Sequence, residues 1–250
     1  MSIANAAHHS MIGGGKRDIF ADWYPRWGTS DIVVAFNGIY NAGANATHSS
    51  TALSWVDITT GKEAQKFSSS YRPPVWTDVG LSFDSIQRAL RLDQSFSDIT
   101  KGFTFDAFGY WGINWGVMAS VSQSTTSGTE CMSSGNNVGA TINLHRTNSA
   151  LYAEYFVQGR PTTTGLCLTC DNSGNIVIYE NGNAVISTQS GTAAFNKCKT
   201  LNRIVIGGGS SGTYPPNGSI LYGITLYRDA LTASEVASLY AANLKNYIGQ

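Results

Sequence analysis

From residue 31 onward, short apolar runs alternate with turn residues along most of the chain. "DIVVAF" (31–36), "LSFD" (81–84), "RALRLD" (88–93), "GFTFDAFGYW" (102–111) and "WGVMASVS" (115–122) are each of strand length. So are "GATINLHR" (139–146), "ALYAEYFV" (150–157), "GLCLTC" (165–170), "NRIVIGG" (202–208) and "GSILYGITLYRD" (218–229). Several alternate apolar with polar positions, as a strand does when one face packs and the other is wet. In "SGNIVIYENGNAVIST" (173–188) the pair Asn181-Gly182 separates two such runs. Both residues accept positive φ, so a tight hairpin is predicted there. A lone hairpin is not stable in water. Many short strands without a βαβ alternation predict an all-β protein, a two-sheet antiparallel sandwich.

One helix stands out, at the C-terminal end: "LTASEVASLYAANLKNY". Thr232 and Glu235 have capping-box spacing, and Leu231 with Val236 fits the hydrophobic staple around it. Val236, Leu239, Tyr240, Leu244 and Tyr247 then fall on one helical face, which predicts docking on the sandwich or on a neighbouring chain.

Residues 1–30 differ from the rest. "ANAAHHSMIGGGKRD" is small and polar, and "WYPRWG" behind it is dense in rings. We read 1–30 as an arm and 31–250 as the sandwich domain. Ile12, Phe20, Trp23 and Trp27 give the arm apolar surface to hide. It either docks on other subunits, as copies of itself or parts of a larger particle, or folds back on its own sandwich. The adjacent pair His8-His9 makes a poor chelate in such a segment.

The charge balance excludes general attraction to nucleic acid or membrane, since 16 Lys and Arg offset 16 Asp and Glu. No stretch approaches the ~20 apolar residues that span a bilayer, and the N-terminus lacks the basic start and apolar core of a signal peptide. Of the four cysteines, Cys167 and Cys170 have CxxC spacing. Three residues apart on a strand they face opposite sides. Buried thiols are therefore preferred over a disulfide or a metal site.

The order of elements resembles a known family. "GFTFDAFGYW", "LCLTCDNSGNIVIYENGNAVIST", "RIVIGGG" and "LYGITLYRDALTASEVASLY" are similar to the central strand, hairpin and closing strands of laminin-G-like domains, over roughly 80–250. These belong to the concanavalin A-like lectin/glucanase superfamily, and the resemblance implies a jelly-roll sandwich with a C-terminal helix. "VVAFNGIYNAGANATHSSTALSWVDITTGKEA" adds a narrower resemblance, to the first segment of bacterial and prophage-encoded members. It departs from them after Trp-x-Asp, where "ITTGKEA" replaces a Gly/Asn-rich turn.

The family includes lectins and glucanases, so the fold alone does not fix the activity. Its glucanases carry two carboxylates about 5–5.5 Å apart, on one strand as Glu-x-Asp-x-Glu. This chain has no such run; Glu130, Glu154, Glu180 and Glu235 are isolated, and Asp106 has no acidic partner two residues away. The expectation is a non-enzymatic binding or structural module without catalytic residues. Some laminin-G-like domains hold calcium at a loop rim. Asp93, Asp98 and Asp171 fall at turns or strand ends, where ordinary turn chemistry also places aspartate; no cofactor is expected, with calcium as the alternative. "YWGINWG" (110–116) is the candidate glycan site, with Trp111 and Trp115 as stacking platforms and Asn114 as a hydrogen-bonding partner. The alternative is that both rings are interior. The expected role is that of a bacteriophage virion protein (a decoration, fibre or tail component) with host-glycan adhesion. The expected location is the virion, with other virion proteins, copies of itself and host cell-surface glycans as partners. A bacterial surface or secreted carbohydrate-binding protein is the rival reading, and a glycoside hydrolase the least favoured.

Overall fold

The structure is a computed structural model and describes residues 19–46, 48–84, 88–112, 116–123, 130–135, 139–147, 150–158, 162–208 and 217–249. Two eight-stranded antiparallel sheets lie face to face. The first runs Asn183–Gln189, Asn175–Glu180, Thr162–Asp171, Gly102–Trp111 and Ile220–Tyr227. Two strands share the far edge of Ile220–Tyr227. Gly80–Ser82 pairs with its start and leads to Val75–Thr77, while Ile32–Asn37 pairs with Gly223 to Tyr227. The second sheet runs Ala150–Gln158, Gly139–Thr147, Glu130–Gly135, Gly116–Ser122, Arg203–Ile206, Leu90–Asp93, Glu63–Lys66 and Trp55–Val56. The expected sandwich with a C-terminal helix is what the chain forms.

The Gly102–Trp111 strand explains why its sequence is apolar on both phases. Phe103, Phe105, Ala107 and Trp111 enter the core between the sheets. Phe108 points the other way, into a second apolar cluster on the outer face of the first sheet. That face is roofed by the Ala233–Asn243 helix, by the π turn Leu244–Ile248 that continues it, and by residues 20–27. A strand covered on both sides has no wet phase, so strict alternation disappears.

Local chemistry holds the roof in place. Thr232 accepts from the Glu235 amide at 3.3 Å and the Glu235 carboxylate accepts from the Thr232 amide at 2.8 Å, closing the capping box. Leu231 and Val236 are buried together as the staple. At the hairpin, Asn181 (φ 51°) and Gly182 (φ 78°) make the expected turn. The Asn181 side chain then accepts from the Gly165 amide at 3.0 Å and the Thr164 hydroxyl at 2.8 Å. The CxxC pair divides as expected: Cys167 lies in the outer cluster, and Cys170 in the intersheet core with Cys198. The Cys131 side chain lies outside what the structure describes.

The strands Trp55–Val56, Glu63–Lys66, Val75–Thr77 and Glu130–Gly135 and the short helix Thr192–Cys198 were not anticipated. The first three are two to four residues long, and at such lengths partner strands, not propensity, set the conformation.

Candidate functional site

Of the expected glycan contact at 110–116, the structure places Trp111, and places it in the core. Trp111 is 0% exposed and donates its indole N–H towards the Thr164 carbonyl at 3.4 Å. The odd-numbered phase of its strand faces inward, with Phe103, Phe105 and Ala107, and 111 continues that phase. Trp111 therefore fills the core and offers no stacking face. Asn114 and Trp115 lie outside the described residues.

The arm residues are also reassigned. Ile12 lies outside the described residues. Phe20 and Trp23 are buried and Trp27 is half-buried, all against their own sandwich. Phe20 meets Trp27 and Tyr40 at 5.0 Å between ring centroids, and Trp23 meets Tyr247 at 5.3 Å. The apolar outer face of the first sheet needs a cover, and a tethered segment supplies one without the entropy loss of association. Arg26 fastens it, donating to Glu235 at 2.7 and 3.0 Å and to Asp229 at 2.6 Å.

A different feature is built for binding. The Asn/Gly-rich loop after Ile32–Asn37 is held by its own asparagines. Asn37 Oδ1 accepts from the Ile39 and Tyr40 amides at 3.0 and 3.3 Å, while its Nδ2 donates to the Tyr24 hydroxyl at 2.9 Å. Asn41 exchanges two 2.8 Å bonds with the Ser49 backbone. Trp55 of the Trp-x-Asp passage donates its indole N–H to the Asn37 carbonyl at 3.0 Å. Asp57 organises the opposite wall. Its buried carboxylate accepts from the Ala35 amide at 2.8 Å, the Thr59 amide at 3.0 Å and the Thr60 amide at 3.1 Å. It also accepts from the hydroxyls of Thr59 and Thr60. Burial pushes the Asp57 pKa up, and these hydrogen bonds oppose the rise.

Between the two walls lies a cleft of about 350 Å³. Ala42, Ala44, Ala46 and Ile58 give it an apolar lining; Asn45, Thr59 and Thr60 bring an amide and two hydroxyls. A small, largely apolar concavity with a few placed polar groups is the usual form of a small-ligand site. The sequence had marked this segment only as a turn-rich opening to the sandwich, because the cleft brings together residues from separate loops.

The carboxylates weighed earlier are engaged elsewhere. Asp93 pairs with Arg203 at 2.8 Å, Asp98 pairs with Arg228, and Asp171 caps its turn by accepting from Ser173 and Asn175 amides at 2.9 Å. Among the described residues, no group of three His, Cys, Asp or Glu is placed to hold a metal ion. Asp106 is sealed under the C-terminal helix, where burial raises its pKa to about 7 against the opposing hydrogen bond of Asn243. No helix among the described residues is long and apolar enough to cross a membrane.

No family model matches the sequence, and no curated protein does. Solved structures do. A sialidase of Trypanosoma rangeli bound to a difluoro-nononic acid derivative matches with a TM-score of 0.62 at 12% identity, over 88% of this chain and 33% of that one. The binding domain of botulinum neurotoxin serotype D matches with a TM-score of 0.60 at 12% identity, over 86% of this chain and 51% of that one. Botulinum neurotoxin type C, described as dependent on two ganglioside molecules to get into cells, matches with a TM-score of 0.57 at 10% identity, over 85% and 51%. The chain thus spans about a third of the sialidases and half of the toxin chains. The sialidases correct the expectation of a non-enzymatic protein. This sandwich recurs within enzymes, so a missing Glu-x-Asp-x-Glu strand does not separate the chain from them. At such identities the likeness is one of fold: the chain is a two-sheet β-sandwich of the kind these proteins contain.

Proposed function

We propose that the chain is a glycan-binding module that holds a sugar in the cleft between residues 42–46 and 57–61. The observation that carries this reading is the preformed cleft, whose walls are tied by Asn41 and Asp57 before any ligand arrives. Preorganisation of this kind lowers the ordering cost of binding. The recurrence of the fold in sialidases and in a toxin described with gangliosides supports a sugar as ligand. At about 350 Å³ the cleft is near the lower end of ligand pockets, about 300–1,000 Å³, and suits one sugar ring. One ring in a shallow site binds weakly, so function at a glycan-coated surface calls for several copies acting together.

The finer reading rests on sequence resemblance alone: a laminin-G-like domain, with its first segment similar to prophage-encoded members, working as part of a virion that adheres to host glycans. A bacterial surface or secreted protein is its rival, and mass spectrometry of purified virions separates them. The cleft itself is tested on a glycan array with the wild-type chain and Ala44→Trp, whose indole fills the cavity. The expected result is a defined set of bound glycans, lost in the variant. Equal binding by the two proteins refutes the cleft as the site.

A further inference from the structure

The two threonines of the cleft are not symmetrical hydrogen-bonding groups. A hydroxyl has one proton and two acceptor lone pairs. Thr59 commits its proton to Asp57, at 2.8 Å from Oδ1 and 2.9 Å from Oδ2, and Thr60 commits its own to Oδ2. Toward a ligand both oxygens offer only lone pairs, and one of those on Thr60 already accepts from the Lys62 amide at 3.3 Å. They pair with groups that donate, such as a sugar hydroxyl or an amide N–H. A carboxylate at neutral pH is an acceptor only, so at these two oxygens it meets lone pairs with lone pairs; the Asn45 amide is the side-chain donor among the described lining residues.

The charge around the cleft points the same way. Among its described lining residues the one ionisable group is Asp57. The basic side chains of Lys62 and Arg26 are engaged elsewhere. Lys62, next in sequence to the cleft wall, donates to the Gln94 side chain at 2.8 Å. Arg26 is engaged by Glu235 and Asp229. An anion entering the cleft therefore approaches a buried carboxylate and gains no countercharge.

The apolar lining sets the remaining requirement. Ala42, Ala44, Ala46 and Ile58 offer methyl-sized surfaces, and no aromatic ring lines the cleft among the described residues. A flat sugar face gains little there, whereas a methyl-bearing substituent packs against alanines. An acetamido group supplies both that methyl and an N–H donor.

We propose that the cleft selects neutral N-acetylated sugars and excludes those carrying a carboxylate. This rests on the glycan-binding reading above and adds its ligand class. It also sets the chain apart from any expectation of sialic acid taken from its structural neighbours.

The test is titration calorimetry of the full chain at pH 7 with three probes: N-acetylglucosamine, N-acetylneuraminic acid, and the methyl ester of N-acetylneuraminic acid. The last two differ only at the carboxyl group, an anion in the acid and a neutral methyl ester in the other. N-acetylglucosamine and the ester are expected to bind, and the free acid at least tenfold more weakly, about 1.4 kcal/mol. Thr60→Arg, at an exposed position, supplies a cation and a donor, and is expected to bring the acid to within threefold of the ester. Equal binding of acid and ester by the wild-type chain, lost in Ala44→Trp, overturns the ligand class and leaves the cleft as a glycan site. Binding of none of the three, or binding that survives in a folded Ala44→Trp, overturns the glycan-cleft reading and this proposal with it.

Discussion

Two acidic residues under and beside the C-terminal helix pull stability in opposite directions with pH. Asp106 has a pKa raised to about 7 by burial. The folded state therefore holds its proton more tightly than the unfolded chain does. The associated stability is present below the usual carboxylate range and is lost as pH rises through about 7. Glu235 behaves oppositely, because Arg26 and the Thr232 cap hold its pKa down to about 2. Its stabilisation is present above the ordinary glutamate value and fades as pH falls towards 2. Asp106→Asn keeps the shape and a partner for Asn243 but removes the ionisation. The variant is expected to be more stable than wild type at pH 8, by no more than about 4 kcal/mol, and equal to it at pH 4. Urea unfolding at the two pH values checks this. A variant less stable at pH 8 would show that the carboxylate is stabilising as an anion. The sequence showed Asp106 only as an acid without a nearby acidic partner; that it is sealed under a helix is a matter of packing.

At the scale of elements, the 175–189 hairpin and the C-terminal helix depend on each other. Gly182 has φ +78°, and a Cβ there would stand 3.1 Å from the Cα of Ala237 on the helix. Gly61, in the turn beyond Asp57, has a similar φ of +74° with nothing within 4 Å. Replacing either with alanine incurs backbone strain of about 1–2 kcal/mol. Only Gly182→Ala also crowds the helix backbone, which must give by a few tenths of an ångström. Thermal unfolding is expected to show a larger drop in Tm for Gly182→Ala than for Gly61→Ala. Equal drops would mean that the helix yields without cost. The Asn-Gly pair was legible in sequence as a turn, because its signal is local. The neighbour that crowds it lies more than fifty positions away and left no trace in the local pattern.

Across the whole molecule, the N-terminal segment is a piece of the roof that also steadies the site. Phe20 packs on Tyr40, and the Tyr24 hydroxyl accepts from Asn37, at the base of the loop that walls the cleft. Removing residues 1–30 uncovers the outer cluster of the first sheet and frees that loop together. The truncated chain is expected to have a lower Tm, to bind a hydrophobic dye and to self-associate in size-exclusion chromatography with light scattering. Its affinity for the glycans of the array should fall as well. An unchanged Tm with no dye binding would assign the segment to an external partner after all.

What the sequence by itself determined was whatever is encoded within a few residues. Strand-length runs marked most of the long strands, the 102–111 run with its bounds as observed; the turn at Asn181-Gly182 and the Thr232–Glu235 cap have equally local signatures. Tertiary structure decided everything that depends on which faces are covered. It put Trp111 in the core, turned Phe20, Trp23 and Trp27 onto their own sheet, and joined residues 42–46 to 57–61 as a cleft. The physical reason is that a side chain's burial is set by what packs over it from far along the chain. The outer face of the first sheet is roofed by both ends of the molecule, and periodicity along one strand does not report a roof made elsewhere.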